Sequence, residues 1–276
     1  MSNESAPPFG TVWFKALVET TSSTPQLPAS LWVGETILDG GAPATLLCVV
    51  PDPTARFPRA RAGEVGLEEG YGLAAVVAEI VAADAGADRR RAIITVIDVP
   101  GQAYGYVEEL VGLHQALAVS TNAYAAARLA GHPVISLVVG KAISGAFLAT
   151  GLQANRIVAL DHDGIAVQVM SKASSARITR RSIAELDAVA EKFPATAYDG
   201  GSFAKLGALH ELVPVESPAE PTTVDVARAR AAVSRAVDAT RDGSRDLRSR
   251  LTSDAARTGR SASTLVRERV AADWNA

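Results

Sequence analysis

Two short glycine-containing segments hold the residue types from which this sequence could build a reaction site. The first, Asp98-Val99-Pro100-Gly101-Gln102-Ala103-Tyr104-Gly105, follows an apolar stretch that reads as a strand and precedes a helical pattern. The second, Gly140-Lys141-Ala142-Ile143-Ser144-Gly145-Ala146, occupies the same strand-to-helix position. Glycine lets the backbone approach a ligand with no Cβ in the way, and a helix N-terminus adds unpaired N–H donors at the positive end of its dipole. Such donors can hold a negative oxygen without a charged side chain, which is oxyanion-hole chemistry. At the helix start after the second segment, Ala146 and its neighbours could bind such an oxygen. Gly140, Lys141, Ser144 and Tyr104 are candidates for contacting a substrate. Either segment alone also reads as an ordinary turn of an α/β protein.

The elements that must position these segments alternate along the chain. Residues 1 to 30 are rich in Ser, Thr and Pro and read as an extended arm. A hairpin is expected through Leu31 to Leu38 and Ala44 to Val50, turning at Asp39-Gly40-Gly41. Leu73 to Ala85 is apolar over a length too great for a strand and reads as a buried helix. There follow a strand at Ala92 to Ile97, one long helix from about Tyr106 to Leu129, and a strand at Val134 to Val139. Gly140 to Gly145 reads as a loop and Ala146 to about Gln153 as a helix, followed by strands at Ile157 to Leu160 and Ile165 to Val169. Two helical segments come next, the second opening with Ser182 and Glu185 in capping-box spacing. This alternation predicts a mostly parallel sheet with right-handed crossovers. Residues 224 to 276, with eleven Arg against seven acids and few bulky apolar side chains, read as a solvated helix pair or a docking surface.

Composition narrows the function classes. The chain has 276 residues, 48% of them apolar but only 5% aromatic, which suits helices packed on a buried sheet. With 27 Lys plus Arg against 30 Asp plus Glu, the net charge of −3 gives no global field to gather nucleic acid or an anionic membrane. The single Cys48 cannot form an intrachain disulfide, and the polar N-terminus lacks a basic segment followed by an apolar run. A cytoplasmic protein is expected. The four His (114, 132, 162 and 210) and one Cys show no metal-ligand spacing, and there is no phosphate loop or dinucleotide fingerprint.

Asp98-x-Pro-Gly before a helix, Pro133-Val-Ile135 leading into Gly140-x-x-x-Ser-Gly145, the strand Ile165-Ala-Val-Gln-Val-Met170 and the later Leu206-Gly-Ala-Leu-His-Glu-Leu-Val213-Pro resemble the carboxyltransferase branch of the crotonase superfamily. The resemblance covers roughly residues 65 to 215. Within that branch, Gly-Lys-Ala-Ile-Ser-Gly-Ala-Phe-Leu and the two terminal extensions look most like the gamma subunit of biotin-independent malonate decarboxylase. It implies a crotonase-like ββα superhelix over 65–215, an N-terminal arm and hairpin over 1–64, and a C-terminal helical extension over 216–276. It implies a hetero-oligomer with a same-fold beta subunit, and a malonyl thioester on an acyl carrier protein with a coenzyme-A-derived prosthetic arm. No cofactor is expected in this chain, and no biotin. Loss of CO2 leaves an enolate on the thioester, and donors aimed at that oxygen stabilise the transition state above the ground state; mapped by position, the resemblance implies as donors the N–H groups of Gly101 and Gln102 in the first segment and of Gly145 and Ala146 in the second. The bulk of Ile143 would crowd a site that must admit biotin.

Rival readings turn on particular residues. A Clp-type protease places its nucleophile at a position resembling Ser144, but its base would fall on Ile165-Ala-Val-Gln168-Val, which has no imidazole; His162 reads as a turn residue. An enoyl-thioester hydratase needs paired carboxylates; Glu108 and Glu109 fit helix-start charges facing solvent or the dipole equally well. The remaining alternatives are the carboxyltransferase subunit of a biotin-dependent acyl-CoA carboxylase and a scaffolding subunit with a vestigial site.

Overall fold

In the computed structural model, which describes residues 7–22 and 26–274, the apolar stretches form one eight-stranded sheet. Its strands are β1 (Thr20–Ser22), β2 (Leu31–Ile37), β3 (Pro43–Val49), β4 (Ala92–Val99), β5 (Val134–Ile143), β6 (Arg156–Asp161), β7 (Ala166–Gln168) and β8 (Glu211–Pro214). Their spatial order is β1-β2-β3-β4-β5-β6-β8, with β7 beside the end of β5. The first three strands are antiparallel, and every pairing from β3 onward is parallel. The expected hairpin is present, and Gly40 and Gly41 supply the positive φ values of its turn. Pairing of β3 with β4 makes that hairpin part of the same sheet as the segment from residue 65.

Helices cover both faces. They are α1 (Phe9–Leu17), α2 (Leu67–Ala83), α3 (Tyr106–Val111), α4 (Leu113–Leu129), α5 (Ser144–Ala149), α6 (Lys172–Thr179), α7 (Ile183–Lys192), α8 (Gly200–Lys205), α9 (Thr223–Arg241), α10 (Ser249–Thr252), α11 (Asp254–Gly259) and α12 (Ser261–Trp274). Successive residues of β2 mark the two sides. Leu31 lies against Gly72 of α2, while Trp32 meets Phe14 of α1 edge-on at 5.6 Å. On the α2 side, α4 crosses so closely that a Cβ on Gly70 would sit 2.8 Å from the Ala116 carbonyl oxygen. On the α1 side, α9 buries Ala229, Ala232, Val233, Ala236 and Val237. Covered on both faces, β4 and β5 are apolar almost throughout.

Four sequence expectations change. The extended arm contains α1, a nine-residue helix that would be marginal alone; it is held by burial of Trp13, Phe14 and Leu17, each contributing roughly 2 kcal/mol. Residues 1 to 6 and 23 to 25 of the arm lie outside the described residues. The long helix is two, broken where Gly112 takes φ 99° between α3 and α4. The loop from Gly140 to Gly145 is no loop: β5 runs to Ile143 and α5 starts at Ser144. In the C-terminal segment α9 is packed on the sheet through its small residues, and only α12 is exposed along its length. The capping box of Ser182 and Glu185 opens α7 as expected. Among the described residues no helix is long and apolar enough to cross a membrane.

Candidate oxyanion site

The first glycine segment leaves the carboxyl end of β4. Gly101 holds φ 154°, and nothing lies within 4 Å of where its Cβ would be, so backbone angle and not space requires glycine there. Val65 pins the segment: its N–H donates to Gly101 O at 3.0 Å and its carbonyl accepts from Ala103 N at 2.8 Å. Among the described residues the N–H groups of Gly101 and Gln102 find no protein acceptor.

The second segment is shaped by a break in the β4–β5 ladder. Ile97 pairs with Val138, but Val99 pairs with Ala142, so β5 carries two extra residues opposite Asp98. A bulge of this kind orphans ladder groups. The Asp98 carboxylate replaces the lost partner, accepting from Lys141 N at 2.9 Å through Oδ1, while Oδ2 accepts from Gly10 N at 3.0 Å. Residue 140 must then be glycine, because a Cβ there would lie 2.2 Å from Asp98 Oδ1. Beyond the bulge the chain turns from strand to helix in a single residue: Ser144 has φ 60°, a left-handed angle that costs a non-glycine residue about 1 kcal/mol. Asp98 therefore fixes the other segment and α1, not its own loop.

The fold brings the two segments together. Gly145 N donates to Gln102 Oε1 at 3.0 Å, so of the four expected donors one is taken by the side chain of the residue that supplies another. The reason is local: the short helix α5 has no side-chain cap of its own at Ile143, and the Gln102 carboxamide serves its second N–H instead. Ala146, the third residue of α5, is fully buried.

Two cavities flank this junction. One, of about 490 Å³, touches both segments through Pro100, Lys141 and Ile143, and is closed by Lys172, Tyr198 and Asp199. Lys172 Nζ pairs with Asp187 at 2.7 Å, and Tyr198 shares a 2.6 Å hydrogen bond with Ser175. The other, of about 150 Å³, is apolar apart from Ser144 and Gln168 and is walled by Phe147, Leu148, Val167 and Phe203. Sequence reasoning missed Lys172 and Tyr198, which lie in segments whose only signal was helical or turn propensity. Tyr104 stands half-exposed under the guanidinium of Arg59, 4.0 Å from its ring centroid.

The rival chemistries lose their residues. His162 Nδ1 accepts from Gly164 N at 2.9 Å inside its own turn. Glu108 does not face solvent: it is buried, its carboxylate against Gly105 at the start of α3, while Glu109 is exposed. Among the described residues no three His, Cys, Asp or Glu side chains gather as a metal site would need.

The family model for the malonate decarboxylase gamma subunit matches residues 60–274. Two solved structures from Pseudomonas are similar over nearly the whole chain. In a malonate decarboxylase hetero-tetramer in complex with coenzyme A, the related chain is 50% identical over 95% of this chain and 99% of its own, with a TM-score of 0.88. In a malonate decarboxylase MdcD-MdcE hetero-dimer it is 48% identical over 97% and 99%, with a TM-score of 0.87. The malonyl-S-ACP:biotin-protein carboxyltransferase MADD of Malonomonas rubra is 39% identical over 161 residues, 57% of this chain but only 55% of that protein's length. A transcarboxylase 12S structure, 18% identical with a TM-score of 0.62 over 85% of this chain and 42% of its own, shares the crotonase-type fold.

Proposed function

Because the chain belongs to the malonate decarboxylase gamma-subunit family, we propose that with a same-fold beta subunit it forms a site that decarboxylates a malonyl thioester on an acyl carrier protein to an acetyl thioester. The observation that carries this reading is the meeting of both glycine segments at Gln102 and Gly145, 3.0 Å apart, at the ends of adjacent parallel strands. When the bond to the departing carboxylate breaks, its electron pair moves onto the thioester oxygen, and a proton on the α-carbon completes the acetyl group. An oxygen entering at Gly145 displaces the Gln102 carboxamide and takes its N–H, with Ala146 adding the next donor of the same helix start. The backbone N–H groups of Gly101 and Gln102 form the second pair. Loss of one such donor costs about 3 kcal/mol of barrier stabilisation. In this reading Lys141, exposed on the larger cavity, meets the substrate's carboxylate, and Ser144, on the smaller, meets its acyl portion.

A coenzyme-A-derived arm belongs to the carrier protein and supplies the thioester; this chain contributes the surface it enters by. The hetero-dimer of the related Pseudomonas malonate decarboxylase supports a partner subunit, and so does α3 beside the first glycine segment, which presents Tyr106, Val107, Leu110 and Val111 to solvent. A cytoplasmic location is part of the same proposal.

MADD favours a second reading, transfer of the carboxyl group to biotin. Ile143, nine-tenths buried between β5 and the larger cavity, stands against it by narrowing the approach from that side. The deciding experiment measures CO2 release from malonyl thioester by this chain co-purified with its same-fold partner, without biotin. Release that needs both chains and falls in Gly145→Ala, whose Cβ would press the Gln102 carboxamide at 3.2 Å, supports decarboxylation; turnover only on addition of a biotinyl acceptor moves the assignment to carboxyltransfer.

A further inference from the structure

The end of the sheet opposite the glycine segments holds a further cavity of about 440 Å³, lined by Arg89, Arg90, Arg128, His132, Arg241 and Arg245. These residues precede β4 and β5 or close α4 and α9, so the cavity lies at the amino ends of the parallel strands. β4 alone, eight residues long, separates it from the oxyanion site by roughly 23 Å at about 3.3 Å per residue. Asp88 is the acid in its lining, against five guanidiniums.

Part of this charge is structural, because the carboxyl ends of α2, α4 and α9 converge here and expose carbonyl groups. Arg90 donates to the carbonyls of Ala87 and Ala85 at 2.6 and 2.7 Å, Arg241 to Arg90 O at 2.9 Å, Arg245 to Leu129 O at 2.7 Å, and Arg128 to Arg245 O at 3.1 Å. The carbonyls do not use every donor. Arg128 Nε and Arg241 Nε are buried with no partner among the described residues, and Arg128 as a whole is only 8% exposed. Arg89 makes no hydrogen bond or ion pair among the described residues. A guanidinium Nε can only donate, and buried uncompensated positive charge is costly. Burial, the largest influence, holds Arg128 and Arg241 below the usual arginine range, opposed by Asp246 at Arg128 and by Asp238 at Arg241, with Arg89 adding to the lowering of Arg241.

We propose that this cavity binds a small multivalent anion of the phosphate class, at a second site remote from the oxyanion site. Several guanidinium forks facing one space suit an acceptor with oxygens on every side better than a single planar carboxylate. The proposal does not depend on the decarboxylase reading.

The test titrates the full chain calorimetrically with inorganic phosphate, pyrophosphate and ADP against chloride of matched ionic strength, for wild type, Arg89→Glu and Arg245→Gln. Arg89→Glu removes no hydrogen bond of the fold, so its melting temperature without anion should equal that of wild type. Saturable binding that weakens about tenfold in either variant supports the site. Equal affinity for pyrophosphate and ADP assigns it to free phosphates, and tighter ADP binding to a nucleotide. Absence of saturable binding up to about 10 mM, or affinity unmoved in both variants, overturns it.

Discussion

The side-chain oxygen of Gln102 accepts a hydrogen bond from the backbone nitrogen of Gly145 at 3.0 Å, so the candidate site keeps a neutral oxygen where the reaction would develop a charged one. Substrate must compete with a tethered carboxamide for that donor.

Replacing Gln102 separates occupancy of the donor from its chemistry. Gln102→Glu puts a permanent carboxylate at the helix start, where it binds more firmly and repels the enolate; kcat for CO2 release by the complex should fall about 100-fold. Gln102→Ala uncovers the donor and keeps its own backbone N–H, so kcat should stay within about threefold while KM falls. Equal losses in both variants would show that the carboxamide itself takes part in the reaction.

Gly140 and Asp98 are coupled by sterics, and a double-mutant cycle reads that coupling. Gly140→Ala drives a Cβ into the Asp98 carboxylate and should cost about 2 kcal/mol through loss of the hydrogen bond to Lys141 N. Asp98→Ala strands the N–H groups of Lys141 and Gly10 and should cost about 3 kcal/mol. In the Asp98→Ala background, Gly140→Ala should cost less than about 1 kcal/mol. Additive losses in urea unfolding would place the strain elsewhere.

His132 makes stability depend on pH. Burial, the largest influence, holds its pKa below the ordinary value, opposed by the hydrogen bond to Arg91 O and by Asp84, and reinforced by Arg90 and Arg91. The folded state therefore favours the neutral ring, while the unfolded chain takes up a proton near pH 6.5. The resulting stabilisation is complete above that pH and is lost as pH falls toward the folded pKa, by up to about 1 kcal/mol between pH 6.5 and 5.5. His132→Asn should flatten that part of a denaturation series in phosphate-free buffer. An unchanged slope would show that the ring is protonated when folded.

Periodicity and glycine placement made much of the sheet legible. The runs Ala92 to Ile97 and Val134 to Val139 are apolar without alternation, which only a strand covered on both faces explains, and both are central. Helix α1 was hidden because its Pro- and Ser-rich surroundings read as an arm, whereas its stability comes from Trp13 and Phe14 meeting a sheet built from residues far along the chain. The C-terminal arginines looked solvated for the same reason. The pKa of Arg250, half-buried and beside the guanidiniums of Arg128, Arg156 and Arg260, is pushed down to about 10, mainly by loss of solvent, and its carbonyl partners Leu152 and Ala154 lie about a hundred residues earlier.

The sequence by itself determined that two glycine segments would leave neighbouring parallel strands, since strand-to-helix turns at residues 98–105 and 140–146 follow from local pattern and chain order. Which N–H groups stand free was decided by tertiary structure alone. The bulge opposite Asp98 and the carboxamide of Gln102 on Gly145 both join residues more than forty positions apart, and hydrogen-bond pairing at that range depends on strand register, which local residue patterns do not encode.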